Sequence, residues 1–167
     1  MVSRSKPAPA AGDVDDAAIA VLRQFRQVFN AVKSHFQHVE KTVGMGGAQV
    51  WALSVVGEHP GIGVGALART MSIHQSTASN LVRTLVDRGM VATVKQGADR
   101  RAVQLKLLPA GAEVLRNAPG PFAGLLPDAL KSLPPDTLAR LQADLAQLIV
   151  AIAADEAGAS IPLSGHI

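Results

Sequence analysis

Apolar positions along residues 15–42 recur with a helical period. Leu22, Phe25, Phe29, Val32, Phe36, Val39 and Val43 follow one another at alternating steps of three and four. This spacing is an a/d seam, narrower than the stripe of an ordinary surface helix, and predicts a long helix that packs on another helix. The breaker cluster Gly44-Met45-Gly46-Gly47 ends it. A short apolar helix is expected over Gln49–Gly57, then a turn-rich connector over Glu58–Gly65. Val64–Met71 reads as a second short helix. After Ser72, Ile73 and His74 a third runs from Gln75 to Arg88, with Gly89 at the position that favours a left-handed residue. Met90–Val94 and Ala102–Leu107 are rich in β-formers and flank Lys95-Gln96-Gly97-Ala98-Asp99-Arg100-Arg101, which predicts a hairpin with a basic tip. Pro109 opens a helix that runs to about Asn117 and breaks at Pro119-Gly120-Pro121. A last helix is expected from Pro134-Pro135 to about Ala157, with Leu138, Leu141, Leu145, Leu148 and Ile152 repeating the seam spacing.

Helix, short turn, helix and basic-tipped hairpin, in that order, predict a winged helix-turn-helix: a mainly α protein with a small β-hairpin wing and long N- and C-terminal dimerisation helices. On a helical wheel Ala78, Leu81, Val82, Leu85 and Val86 gather on one face as a core side. The opposite face carries Ser76, Asn80, Arg83 and Asp87, flanked by Thr77, Ser79 and Thr84. A merely solvated helix more often shows Glu–Lys ladders at i, i+4. Short hydrogen-bonding side chains allow close approach to a groove wall, and Asn or Arg pairs bidentately with base edges. For Ser76 and Thr77 two readings stand, base contact and helix capping; for His74, a cap or a phosphate contact.

Charge sharpens this picture. The formal net charge is only +3, but residues 67–106 carry seven Lys/Arg against two Asp/Glu, whereas residues 107–167 carry three against six. A basic central block on a near-neutral body suits a nucleic-acid surface, or else is a solvated face of no consequence. Cysteine is absent, which removes disulfide frameworks, zinc ribbons and thiol switches. The five aromatic rings, Phe25, Phe29, Phe36, Trp51 and Phe122, all lie outside the basic block. Sheets that stack single-stranded nucleic acid on exposed rings are therefore disfavoured. Met1–Asp16 has no apolar run, and Leu148–Ala154 falls far short of the ~18 residues of a bilayer span. A cytoplasmic protein with no membrane partner is expected.

The stretch Leu67–Leu115 resembles the MarR (multiple antibiotic resistance regulator) family of bacterial transcription regulators. The resemblance rests on the helix start STASNLV, its exit LVDRGMV, and the wing and return strand ADRRAVQLKLLPAG. It implies a homodimer that reads a pseudo-palindromic double-stranded operator, with one DNA-binding lobe per subunit, and that represses until a small molecule releases it. It implies major-groove roles for Ser76, Thr77, Ser79, Asn80 and Arg83 and a minor-groove arginine at Arg100 or Arg101 oriented by Asp99; His74 and Gln75 at the helix start and Lys95 at the basic tip are further expected DNA contacts. The expected division is a tail over 1–14, a dimerisation helix over 15–45, the DNA-binding lobe over 46–108, C-terminal dimerisation helices over 109–158 and a tail over 159–167. Two positions depart from the family pattern. Leu108 stands where a Thr commonly precedes the helix after the wing, and Gly46-Gly47 stands where a capping Ser or Thr usually starts the second helix. A weaker cap at the first and a looser hinge at the second are expected.

Other signals are weaker. Gly61-Ile62-Gly63-Val64-Gly65 has the look of a dinucleotide loop but follows no strand, so a turn is expected. His35 and His38 lie at i, i+3 without further ligands, so no metal and no cofactor are expected. Ser, His and Asp fall in no nucleophile-elbow context, so the chain is not expected to be an enzyme. Trp51 is a core residue or the wall of an effector pocket. In the second case Arg23, Arg26, His35 and His38 would meet a small aromatic or anionic effector. The competing function is a winged-helix protein-interaction module whose basic wing holds an acidic partner.

Overall fold

The computed structural model describes residues 11–95 and 103–152, with side chains from residue 15 to 94 and from 103 to 152. The elements are α1 (Ala11–Val43), α2 (Gly47–Glu58), α3 (Val64–Thr70), α4 (Gln75–Asp87), β1 (Val91–Lys95), β2 (Val103–Leu107), α5 (Pro109–Asn117), α6 (Leu125–Lys131) and α7 (Pro135–Ala151). The chain is a mainly helical winged helix-turn-helix, as its pattern predicts.

Helix α2 is apolar on every side, the mark of a helix that runs through a core rather than over it. Val50, Ala52, Leu53, Val55 and Val56 are all buried. Around it close Leu67 and Met71 from the α3 end, Val82 and Leu85 from α4, Val91 from β1 and Leu105 from β2. Each fully buried leucine contributes about 1.5–3 kcal/mol relative to exposure. Helix α4 ends in a Schellman motif: Met90 N–H donates to Leu85 O at 2.9 Å and Gly89 N–H to Val86 O at 2.9 Å. Gly89, at φ +67°, makes that reversal and sends the chain into β1.

Strands β1 and β2 pair antiparallel from Val91 opposite Leu107 to Lys95 opposite Val103. The glycine-rich connector lies on β2's other edge. Gly61 N–H donates to Leu105 O at 3.1 Å, and Leu105 N–H to Ile62 O at 3.0 Å. Gly61–Gly63 is thus a turn that pins the wing to the α2–α3 corner, while Val64 and Gly65 already belong to α3.

Several boundaries differ from the expectation. Helix α1 begins at Ala11, four residues ahead of the expected start. Helix α6 has no counterpart in the expected elements, because seven residues with Pro127 in the first turn give too short a periodic signal. The largest difference concerns the α1 seam, which is shared between two jobs. Val32 and Val39 are buried, and Phe36 and Val43 are half-buried, within this one chain. Helices α2, α5 and α6 reach α1 and use that half. Leu22 and Phe29 remain 48% and 51% exposed. Helix α7 has no buried residue at all.

Candidate nucleic-acid interface

The short turn between α3 and α4 is set by core packing. Met71 is buried and Ile73 packs against the same cluster, while Ser72 between them takes φ +54°. Ile73 N–H reaches back to Ala68 O at 3.0 Å. Helix α4 then docks through Ala78, Val82 and Leu85, all buried, with Leu81 and Val86 packed beside them. Its other side stands outward: Gln75, Ser76, Asn80, Arg83 and Asp87 are exposed, and Thr77, Ser79 and Thr84 half-buried.

Not all of these polar groups are free to donate. Ser79 Oγ donates to Gln75 O at 2.8 Å, and Thr84 Oγ1 to Asn80 O at 3.0 Å. Arg83 Nη2 donates to Asn80 Oδ1 at 2.6 Å. His74 occupies the N-cap position, but its side chain makes no cap bond, and no acidic residue lies in the first turn. Capping by Ser76 or Thr77 does not arise, since both lie inside the helix. The N-terminus of α4 therefore keeps unsatisfied N–H groups and the positive end of its dipole, open to an anion.

The wing's arms are in place, but Asp99, Arg100 and Arg101, together with the Lys95 side chain, lie outside the described residues. Two further basic side chains, Arg69 and Lys106, are exposed on the same lobe. The alternation of VQLKL, with Leu105 buried and Lys106 exposed, was the available signal for the second. Arg88, at the C-cap of α4, donates through Nη1 to Gly44 O at 3.3 Å. No sequence signal links those residues, 44 positions apart.

The expected effector residues are spread out. Arg23, Arg26 and His38 are exposed, and Trp51 is half-buried against the core. At about 1.5 Å rise per residue, Arg23 and His38 stand about 22 Å apart along α1, so one small molecule cannot touch both on one chain. His35 Nε2 lies 3.0 Å from Pro121 O and, facing a carbonyl, must be the donor. Its ring meets Phe36 edge-on, with centroids 5.4 Å apart. Among the described residues no three His, Asp or Glu side chains gather to hold a metal.

The two departures from the family pattern resolve differently. Leu108 is the N-cap of α5 and makes no side-chain bond, as expected from its chemistry. The Gly46-Gly47 junction also lacks a side-chain cap. Gly47, however, is buried, and a Cβ there would overlap the Phe36 ring, so the corner is closely packed rather than open.

No curated protein sequence matches the chain. Among solved structures it is similar to an S. aureus MepR–DNA complex, with TM-score 0.54, 16% identity, and 79% of this chain and 94% of that one covered. A MepR-like protein complexed with pseudoligands gives TM-score 0.52 and 15% identity over 85% and 95% of the two chains. Wild-type apo MarR from E. coli gives TM-score 0.50 and 18% identity over 86% and 99%. These likenesses establish the fold. Residues 43–102 match the model of the MarR family. That segment, a little over a third of the chain, resembles the MarR family in sequence.

Proposed function

We propose that the protein is a sequence-specific double-stranded DNA-binding transcriptional regulator that works as a homodimer, not as an enzyme. The outward face of α4 carries the reading: short polar side chains around Asn80 and Arg83, on a helix whose N-terminus has neither a side-chain cap nor a carboxylate. Such a helix fits the major groove and offers its N–H groups to a phosphate. The MepR structure of shared fold was solved with DNA, which supports the same use here. Gln75, Ser76, Thr77, Ser79, Asn80 and Arg83 would meet the major groove and His74 a phosphate. Lys95, Asp99, Arg100 and Arg101 would serve the minor groove and the adjoining backbone.

Two lobes related by a twofold axis would read a pseudo-palindromic site, with half-sites about 10–10.5 bp apart. In this reading the protein represses until a small aromatic or anionic effector stabilises a lobe spacing that no longer spans both half-sites. Arg23, Arg26, His35, His38 and Trp51 are the side chains proposed to take part, the arginines and His38 that meet one molecule coming from different chains of the dimer, since Arg23 and His38 of one chain are too far apart. The test is selection of duplexes from a random library, followed by titration of the winner and a scrambled duplex at several salt concentrations. Enrichment of an inverted repeat is expected, with log K falling by about 0.9 per neutralised phosphate for each unit of log salt. No enrichment, with tight binding to acidic protein instead, would favour the protein-interaction module.

A further inference from the structure

The outward face of α4 holds a side-chain pair of its own, Arg83 donating to Asn80 Oδ1 at 2.6 Å across one helical turn. Asp87 lies four residues beyond Arg83 on the same exposed face, yet among the described residues the only ion pair joins Lys131 to Asp128. Arg83 therefore turns to the neutral amide and keeps its full charge uncompensated. A hydrogen bond with an ionised donor is short and strong, and this one fixes the direction of a side chain that otherwise explores many rotamers. Ordering it beforehand lowers the cost of using it in a complex.

The neighbours decide what such a unit presents. The hydroxyls of Ser79 and Thr84, on either side, donate back to the carbonyls of Gln75 and Asn80. Donors left at the centre of the face are the remaining N–H groups of Arg83 and the Nδ2 of Asn80. One lone pair of Asn80 Oδ1, the acceptor an adenine amino group would need, is already taken. In the major groove guanine shows two adjacent acceptors, N7 and O6, whereas adenine shows an acceptor beside a donor. A centre rich in donors, with its one acceptor already engaged by Arg83, matches the first better than the second.

We infer that Asn80 and Arg83 act as one unit, in which Asn80 is the positioning residue for Arg83 and Arg83 reads a guanine in each half-site. The inference rests on the proposed major-groove role of α4. It assigns the two residues unequal parts, so they are not independent base readers.

The experiment uses the full chain and the duplex selected above, with each half-site guanine replaced in turn by 7-deazaguanine, which lacks N7. For the wild type, one replacement should weaken binding on the order of tenfold, as expected when one of the two hydrogen bonds of a bidentate pairing to a charged donor is lost. Arg83→Ala should abolish that sensitivity. Asn80→Ala should lose most of it, although the arginine is still present, and Asn80→Ala/Arg83→Ala should bind no more weakly than Arg83→Ala alone. Asn80→Asp keeps an acceptor at the same place. It should restore the 7-deazaguanine sensitivity while lowering affinity for every duplex through its added charge. Unchanged melting temperatures would show that these exposed substitutions leave the fold intact. If Asn80→Ala prefers the selected duplex over scrambled DNA and keeps the full 7-deazaguanine penalty, the coupling is overturned while the DNA reading survives. If the wild type itself does not distinguish selected from scrambled duplex, the DNA reading fails and the unit falls with it.

Discussion

At the scale of single residues, Phe36 holds the corner where the long helix meets the lobe. Its ring lies between two backbones that carry no side chain: a Cβ on Gly47 would overlap it, and a Cβ on Gly124 would sit 2.9 Å from its Cζ. Gly124 also takes φ +93°, a conformation that other residues adopt only under strain. With glycine at both ends of the ring, neither side offers room for it to swing away. Gly47→Ala therefore sets two effects against each other. Alanine favours a helix by up to about 1 kcal/mol over glycine, whereas overpacking a filled site costs about 1–3 kcal/mol. The second should win, since the clash falls near the root of the ring. A denaturant titration should show a lower midpoint for Gly47→Ala with little change in slope; an unchanged or raised midpoint would show that the corner has slack.

Element by element, legibility in the sequence followed how local the cause was. The two faces of α4 could be read because a 3.6-residue period alone separates Ala78, Val82 and Leu85 from Ser76, Asn80 and Arg83. Gly89 was legible as a stop for the same reason, and the β1–β2 arms came within a residue or two of their bounds. Long-range partners were not legible. The 3-4 spacing of α1 records that a helix face is apolar but not what covers it, and Val32–Val43 turned out to serve the chain's own lobe. Likewise nothing local announces that Gly47 lies under Phe36, or that Arg88 reaches Gly44. The wing gives a prediction at this scale that contrasts with α4. Arg100 and Arg101 should act through phosphates and minor-groove potential, so Arg100→Ala with Arg101→Ala should weaken binding to all duplexes alike. The slope of log K against log salt should fall by about one for each phosphate no longer neutralised, while the cognate-to-scrambled ratio stays near its wild-type value. A collapse of that ratio would transfer sequence reading from α4 to the wing.

For the whole molecule, the apolar surface left uncovered among the described residues is concentrated on two helices, α1 and α7. On α1, Ile19, Leu22 and Phe29 are about half exposed, and among the described residues Phe29 stacks on the ring of Phe25 alone, at 6.1 Å between centroids. On α7, Leu148 and Ile149 are 39% and 49% exposed and Val150 80%. Exposed apolar side chains scattered singly need no explanation, but two helices carrying rows of them do. A second copy of the chain would offer the same two helices, and an isologous twofold contact covers both rows at once. Leu145→Glu together with Leu148→Glu should put unpaired charge into that contact. Sedimentation at micromolar concentration should then show monomer or aggregate, where the wild type should sediment as a dimer. Because neither leucine is buried within its own chain, the lobe should keep its helical content and melt as before. The variant's affinity should then fall to that of one lobe on one half-site, with no gain from joining two half-sites in one duplex. A wild type that sediments as a monomer would remove the dimer, and with it the twofold reading of the site.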